Sequence, residues 1–220
     1  MAKTNTLLRQ TAYEYILDLI MTKQLLPGDK VPEAAVAQKF QISRTPVRDA
    51  MQQLANEGLL EIFPNRFVQV KTYTENDIVE IGALRLAMDT LSVRLASLFG
   101  SRADFIKLDE IAAACEDASR TDDHQNRRDL DCRFHMYLAE IAGNHLLLKF
   151  QKELYLRVQY IMLCYPNSVE REIEHIHQHH QIAEALMDNN VDEALRLITD
   201  HLTSFYNLEA KYPKDFFREI

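Results

Sequence analysis

The sequence predicts a mainly α-helical protein with two domains: three helices and a β-hairpin at the N-terminus, followed by an antiparallel, all-helical bundle. Three observations predict this fold class. The chain of 220 residues is long enough for two small hydrophobic cores. With five glycines, six prolines and 47% hydrophobic residues, its composition is typical of a folded, helix-rich protein. Apolar residues recur at helical spacing along most of the chain, and they alternate with polar residues only near residue 65.

The first two helices of the N-terminal domain follow from apolar spacing and a turn signal. We predict this domain over residues 1–74. Apolar residues between positions 6 and 22 have a period close to 3.6 residues, which predicts an amphipathic helix. Leu26-Pro27-Gly28-Asp29 predicts a turn, and a second, short helix is expected at about residues 33–40.

A third helix and a hairpin complete the predicted N-terminal domain. Ser43 is a suitable N-cap, and Pro46 fits the first turn because its missing N–H has no partner there. Gly58 ends the helix. Apolar and polar residues then alternate over residues 60–70, on either side of Pro64-Asn65-Arg66. This pattern predicts a β-hairpin, which after three such helices is the wing of a winged helix-turn-helix.

The remainder of the chain, residues 75–220, is predicted to be an antiparallel bundle of six amphipathic helices. None of it alternates as a strand does, and the boundary near residues 73 and 74 is too short for a flexible linker. Turn-forming residues separate the helices. The predicted breaks lie at Gly100-Ser101, Thr121-Asp122, Gly143-Asn144, Pro166-Asn167 and Asn189-Asn190.

Composition also excludes several classes of protein. No apolar run approaches the roughly 20 residues that span a bilayer, and residues 1–8 lack the apolar core of a signal peptide. We therefore expect a soluble, cytoplasmic protein that does not associate with a membrane. Cys115, Cys132 and Cys164 are an odd number without a CxxC pair, which argues against a disulfide framework or a cysteine zinc site.

Charge is unevenly distributed between the two predicted domains. The net charge of −8 argues at first against a nucleic-acid partner, because lysine and arginine are needed to neutralise phosphates. Residues 1–75, however, carry nine basic and eight acidic residues, whereas residues 76–220 carry sixteen and twenty-five. A near-neutral domain can bind DNA when its basic residues share one face. Only the N-terminal domain is therefore expected to do so.

The third helix begins with residues suited to DNA. In a helix-turn-helix, the second helix of the motif enters the major groove by its N-terminal end, which here is Ser43-Arg44-Thr45-Pro46-Val47-Arg48. Arg44 and Arg48 are four residues apart, so both can reach phosphates or guanine edges from one face. On an arbitrary helix, two such arginines would more often be solvated surface charges.

The segment around this helix closely resembles the winged helix-turn-helix of the GntR family of bacterial transcription regulators. The matching residues are Leu26-Pro27-Gly28, Val36-Ala37, residues 42–50, residues 54–59 and Pro64-Asn65-Arg66. The wing departs from the family pattern at Phe67, where glycine is usual. The resemblance implies that double-stranded operator DNA is contacted by Ser43, Arg44, Thr45, Arg48, Asn65 and Arg66.

A second group of residues is suited to a metal ion. Asp131 and His135 are spaced i,i+4 on one helical face, and His201 lies in the apolar stripe of the last helix. Among four histidines of the preceding helix, His179 lies nearest the apolar stripe, narrowly ahead of His180. One carboxylate and three imidazoles suit a divalent transition metal. Taken alone, these residues could equally form hydrogen bonds in the core or at the surface.

The C-terminal part of the chain resembles the helical FCD domain of the FadR-like subgroup of the same family. The resemblance rests on Leu84-Arg85-Leu86, residues 131–135, Gly143-Asn144 and the spacing of the later histidines. It implies a small organic-acid effector beside a divalent transition metal, with zinc favoured over nickel or manganese. Arg85 is the candidate anchor for a carboxylate of that acid, with a salt bridge to a bundle acid as the alternative. The implied metal ligands are Asp131, His135, His179 and His201.

The leading functional prediction is a metabolite-responsive transcription regulator rather than an enzyme. It would act as a homodimer, because two-fold operators need two DNA-binding heads. A metal-dependent, hydrolase-like enzyme is the alternative, since a carboxylate and three histidines with open coordination could activate water. No HExxH motif supplies the base that such an enzyme needs. A winged helix used only for protein contacts would be expected to lack Arg44 or Arg48.

Overall fold

A computed structural model describes residues 2–64, 66–121, 123–165, 169–213 and 216–217, without the side chains of residues 2–5 and 169–174. The chain divides into two compact units, Met1–Thr72 and Tyr73–Ile220. The order of elements, three helices and a hairpin followed by a helical bundle, confirms the predicted fold class. None of the described helices is long and apolar enough to cross a membrane.

The first unit contains the three predicted helices and the hairpin. Helix α1 buries Ala12, Ile16 and Ile20 on one face, as the apolar spacing of this segment predicts. Val47, Met51 and Leu54 on α3 are buried against it. The elements are α1 (Ala2–Met21), α2 (Glu33–Phe40), α3 (Arg44–Asn56), β1 (Leu60–Phe63) and β2 (Phe67–Val70).

Helix α3 begins and ends where the sequence places its boundaries. Ser43 occupies the N-cap position with an extended backbone, although its side chain forms no capping hydrogen bond. Its hydroxyl is left at the surface at the end of the helix that is expected to face DNA. Gly58 adopts a φ of 86°, which a residue with a Cβ rarely adopts, and thereby turns the chain out of the helix.

The wing is a two-stranded antiparallel hairpin whose register pairs Leu60 with Val70 and Phe63 with Phe67. The rings of Phe63 and Phe67 lie 4.8 Å apart, and the ammonium group of Lys30 lies 4.4 Å from the centre of the Phe67 ring. Phe67 therefore stabilises the base of the loop by aromatic and cation–π contacts, at the position where glycine was expected. Asn65 lies outside the described residues.

The second unit contains six α-helices among its described residues, and side chains cap the starts of five of them. Thr74 and Asp77 form a reciprocal capping box at the first helix, and Ser101 and Asp104 form another at the second. The break at Pro166-Asn167 and residue Asp122 of an earlier break lie outside the described residues. The helices are α4 (Glu75–Phe99), α5 (Arg102–Ser119), α6 (His124–Ile141), α7 (His145–Cys164), α8 (Val169–Met187) and α9 (Val191–Tyr206).

The bundle brings α4, α6, α8 and α9 around one apolar core. Helix α4 packs on α6 and α9, and α8 packs on α5 and α9. Gly82 permits the close approach of α4 to α9, since a Cβ at this position would overlap the ring of Tyr206. Phe134, Ile182 and Leu202 lie within this core. Polar side chains on the inward faces of these helices are therefore held close together and away from water.

Candidate metal centre and nucleic-acid interface

The exposed end of α3 carries the predicted DNA-contacting residues. Ser43 and Thr45 are exposed, and the side chains of Arg44 and Arg48 are 63% and 64% exposed. The Nε of Arg48 donates to Oε1 of Glu33 at 3.0 Å, and the Nε of Arg44 lies 3.9 Å from the same oxygen. Both guanidinium groups therefore share one carboxylate while most of their surface faces solvent.

Arg44, Arg48 and Glu33 line a groove of about 650 Å³ between α3 and the wing of the first unit. Its walls carry the cations Lys30, Arg44, Arg48 and Arg66 together with Glu33. Such a concave, predominantly cationic surface suits a phosphate backbone, and exposed arginine forks can also reach base edges. Arg66 is exposed beside the groove.

Three helices of the second unit place the four predicted metal ligands together. Asp131 and His135 lie one turn apart on α6, which aims both side chains in one direction. His179 comes from α8 and His201 from α9, where each lies among buried apolar residues. All four are buried, and their ligand atoms lie within 4.8 Å of one another.

The closest atoms of this cluster are nitrogen and oxygen atoms that can donate electron pairs. The Nε2 of His179 lies 3.3 Å from Nε2 of His135 and 3.6 Å from Oδ1 of Asp131. The ring of His201 is centred 4.8 Å from that of His179 and 5.3 Å from that of His135. His179 Nδ1 is buried without a hydrogen-bond partner among the described residues. A carboxylate and three imidazoles at these separations fit one divalent transition-metal ion.

Burial and neighbouring groups shift the pKa values of His179, His201 and Asp131. Burial lowers the pKa of His179 to about 3, against the opposing effect of Asp131. Burial, followed by the neighbouring imidazoles, lowers the pKa of His201 well below its ordinary value. Burial opposes ionisation of Asp131, yet His179, His135 and Arg85 together hold its pKa below the ordinary range. Neutral imidazoles beside an ionised carboxylate are what a divalent cation requires.

Arg85 on α4 is buried next to this centre. Its Nη1 donates to the hydroxyl of Tyr206 at 2.9 Å. Its Nε lies 3.6 Å from Oδ2 of Asp89, and its Nη2 lies 3.9 Å from Oδ2 of Asp131. The salt bridge that the sequence left as an alternative role for Arg85 is therefore present. The guanidinium also lies close enough to Asp131, a member of the cluster, to face a group bound there.

The structure separates the four histidines of α8. His179 lies in the cluster, whereas His180 is half-buried, with Nδ1 2.6 Å from Asp109 and Nε2 3.2 Å from Glu116. His177 is exposed. His175, which was not among the predicted site residues, is buried with its ring 5.2 Å from that of His201. Its spacing of four residues before His179 places both on one face of α8 and was the available signal.

Comparison with known proteins gives matches to two protein-family models. The FCD domain matches residues 80–204, and the gntR family of bacterial regulatory proteins matches residues 8–70. Together the two matches contain the α3 residues Ser43 to Arg48, all four residues of the buried cluster, and Arg85.

Individual relatives match most of the chain. The Uxu operon regulator of Haemophilus influenzae is 29% identical, over 80% of this chain and 71% of that protein. The Nta operon transcriptional regulator of Aminobacter aminovorans is 24% identical, over 82% of this chain and 84% of that protein. A solved chain from Rhodococcus sp. RHA1, described as a GntR transcriptional regulator, has a TM-score of 0.78, with 20% identity over 93% of this chain and 98% of that chain. This structural match shows the same fold.

Proposed function

The chain belongs to the gntR family of bacterial regulatory proteins and is a transcription regulator with a C-terminal FCD domain, and we propose that it binds operator DNA as a homodimer whose affinity responds to a small organic acid. In this proposal, residues 1–74 bind DNA, and residues 75–220 dimerise and bind the effector at a metal centre. The hydrolase-like alternative finds no support among the matching proteins, which are transcription regulators.

The observation that carries the effector proposal is the buried cluster of one carboxylate and three imidazoles within 4.8 Å. Each polar group left unpaired in a core costs roughly 1–3 kcal/mol, so a cluster of this kind is costly unless it binds something. The ligands in this proposal are Asp131, His135, His179 and His201.

A divalent ion bound by these four residues would leave coordination positions open to an effector carboxylate. Zinc suits this donor set best, and nickel or manganese are the alternatives. Arg85 supplies a fixed positive charge 3.9 Å from Asp131, where it can pair with a second carboxylate of the same acid. An effector with two acidic groups fits this arrangement better than one with a single group.

DNA binding in this proposal uses the groove between α3 and the wing. Ser43, Arg44, Thr45 and Arg48 present donors along the exposed end of α3, and Arg66 presents another from the wing. Asn65 belongs to the proposed contact set by the family resemblance alone. One such head covers half of a two-fold operator, so a homodimer is required for both halves.

Metal content tests the centre directly. The chain purified without chelator is expected to carry about one divalent transition metal, measured by elemental mass spectrometry. His135→Ala and His201→Ala should lose it, because each removes one of four ligands. The matched control is His177→Ala, which removes an exposed histidine two residues from His179. A wild-type chain that carries no metal and binds none on addition would contradict the metal centre.

Thermal unfolding tests the effector. A panel of mono-, di- and tricarboxylic acids is titrated into the metal-loaded protein, and an effector at 100 times its Kd should add about 2.7 kcal/mol of stability. The same acid should lose this effect after chelation, and it should change the affinity for operator DNA. Stabilisation that survives chelation would place the effector elsewhere.

A mass of one chain in sedimentation would contradict the homodimer.

A further inference from the structure

From the contacts around the buried cluster, we infer that Asp89 is a positioning residue that fixes the orientation and tautomer of His135 for metal binding. This inference rests on the metal centre proposed above. Asp89 lies on α4, is fully buried, and is not one of the four clustered ligands. It would bind no metal itself and would act only through the imidazole.

The two ring nitrogens of His135 face different groups. Its Nδ1 lies 2.9 Å from Oδ2 of Asp89, whereas its Nε2 lies 3.3 Å from Nε2 of His179 inside the cluster. The distance between Nδ1 and Oδ2 is that of a hydrogen bond, but the two groups are not well aligned. Neither atom has a hydrogen-bond partner among the described residues.

The chemistry of the two groups determines where the proton lies. A neutral imidazole carries one N–H and one nitrogen with a free electron pair, and a carboxylate can only accept. With Asp89 facing Nδ1, the proton of His135 belongs on Nδ1, and the free pair of Nε2 points into the cluster. A metal ligand in this tautomer is ready to coordinate, and carboxylates in this outer position orient metal-binding histidines in many proteins.

Asp89 is itself held in place by one other helix and by its own. Gln151 on α7 donates to its Oδ1 through a short hydrogen bond, and Arg85, one turn earlier on α4, lies 3.6 Å from its Oδ2. Oδ1 is therefore committed to Gln151, and Oδ2 is left to face His135. Because each oxygen has its own neighbour, the carboxylate of Asp89 is held in one orientation.

A similar arrangement surrounds His201. Its Nδ1 lies 3.1 Å from Oε1 of Gln178 on α8, so an amide oxygen faces the nitrogen on the side away from the cluster. The tautomer with the proton on Nδ1 again leaves Nε2 for the metal. His135 and His201 therefore each have an acceptor outside the cluster, which argues that these contacts serve the ligand nitrogens rather than the packing of α4 alone.

The direct test is the tautomer of His135 in the zinc-loaded, wild-type protein. Long-range ¹H–¹⁵N spectra of ¹⁵N-histidine-labelled protein distinguish a protonated Nδ1 from a metal-bound Nε2, and sequence-specific assignment from the backbone of the zinc-loaded protein identifies the signals of His135. We expect the proton on Nδ1. A proton on Nε2, with zinc on Nδ1, would overturn the inference without any substitution at Asp89.

The substitution Asp89→Asn tests the consequence at nearly constant volume. Asparagine offers one oxygen, which Gln151 retains, so its N–H group faces His135 and drives the proton to Nε2. Zinc affinity, measured by competition with a chromophoric chelator, should fall about 10- to 100-fold. In the ¹⁵N spectra, Nε2 of His135 should take the chemical shift of a protonated nitrogen and Nδ1 that of an unprotonated one. The matched control is Asp109→Asn, which alters a carboxylate–histidine pair with His180 outside the cluster, and it should leave zinc affinity unchanged.

A second substitution separates positioning from general damage to the core. In Asp89→Asn/Gln151→Leu, the asparagine oxygen no longer accepts a hydrogen bond from residue 151, so it can accept one from Nδ1 of His135. Zinc affinity should recover most of the loss, even though another polar contact has been removed. Failure of the wild-type chain to bind zinc would reject the metal centre. Zinc binding with equal affinity in wild type and Asp89→Asn, and with the same tautomer, would reject only the role of Asp89.

Discussion

Both units of this protein pair arginine with a carboxylate, but the pairs of the first unit are exposed to solvent and those of the second are buried. In the first, Arg44 and Arg48 share Glu33, with arginine side chains 63% and 64% exposed and the glutamate 26% exposed. In the second, Arg85 lies between Asp89 and Asp131, at 5%, 0% and 11% exposure. The chemistry of the pairs is alike, and the access of water to them differs.

That difference decides what each group can do. An exposed ion pair contributes about 0–1 kcal/mol because water screens it, so Arg44 and Arg48 can exchange Glu33 for a phosphate at little cost. A buried pair gains from a low dielectric but has lost its hydration, so removal of one partner costs about 3–5 kcal/mol. The exposed arginines suit reversible binding, whereas Arg85 is a buried charge held in place beside Asp89 and Asp131.

Arg85→Met should give the largest effect, because it leaves two buried carboxylates without their counter-charge. We expect a loss of about 3–5 kcal/mol in the free energy of unfolding of the chelator-treated protein, measured in urea. Arg120→Met is the control: Arg120 pairs with Glu116 and Asp117 but is 66% exposed, so it should change stability by about 1 kcal/mol or less. Equal losses in both variants would erase the contrast between the two kinds of pair.

Acid should destabilise the metal-free second unit through its buried histidines. Because the pKa of His179 is lowered to about 3 and that of His201 is also lowered, both stay neutral in the folded chain while the unfolded chain takes up protons near pH 6.5. Their contribution is present above pH 6.5 and is lost as pH falls from there toward the folded pKa. Two such sites should cost roughly 2–3 kcal/mol between pH 7 and pH 5.5.

Urea unfolding of chelator-treated protein at the two pH values measures this loss. His179 faces Asp131, His135, Arg85 and His175, so its response belongs to the group as a whole. His177→Ala, at an exposed position, should keep the same pH dependence. A free energy of unfolding that does not change between pH 7 and pH 5.5 would show that these histidines are not held neutral by burial.

Arg48→Ala tests the exposed region for binding rather than stability. It should weaken operator binding by about 1–3 kcal/mol if Arg48 contacts a base edge, and should reduce the salt slope by about one if it contacts a phosphate. The folded stability should change little. Fluorescence anisotropy over a salt series measures both quantities, and Arg120→Ala, in the second unit, is the charge control. Unchanged affinity and salt slope would remove Arg48 from the contact set.

Glu33→Gln should give the smallest effect and the opposite sign. It removes the carboxylate that competes with phosphate for Arg44 and Arg48, so binding to random duplex DNA should tighten by about 0.2–1 kcal/mol, or up to about fivefold. The control is Glu14→Gln, at an exposed position of α1 where Gln10 is its hydrogen-bond partner. Weaker binding in Glu33→Gln would instead mean that Glu33 orients Arg48 for DNA.

Much of the fold could be predicted because its signals are local. The 3.6-residue period of apolar residues defines the helices, alternation defines the wing, and Gly58 ends α3 through a conformation that glycine readily adopts. The long string from Ile42 to Ala50 identified the family, which the family match confirms. Phe67 departs from that family's pattern, and only its contacts with Phe63 and Lys30 explain how the wing accommodates it.

The sequence by itself determined the order of helices and the family, because each depends on spacing within one helix or on a continuous motif. The family resemblance then implied four candidate metal ligands, among which spacing preferred His179 to His180 only narrowly. The tertiary structure decided what depends on contacts between helices. It placed His179 rather than His180 in the cluster, since Asp109 and Glu116 of α5 pair with His180. It also placed Asp89 of α4 against His135 of α6, 46 positions apart by their numbers. No pattern along the chain encodes that contact, because the packing of α4 on α6 creates it.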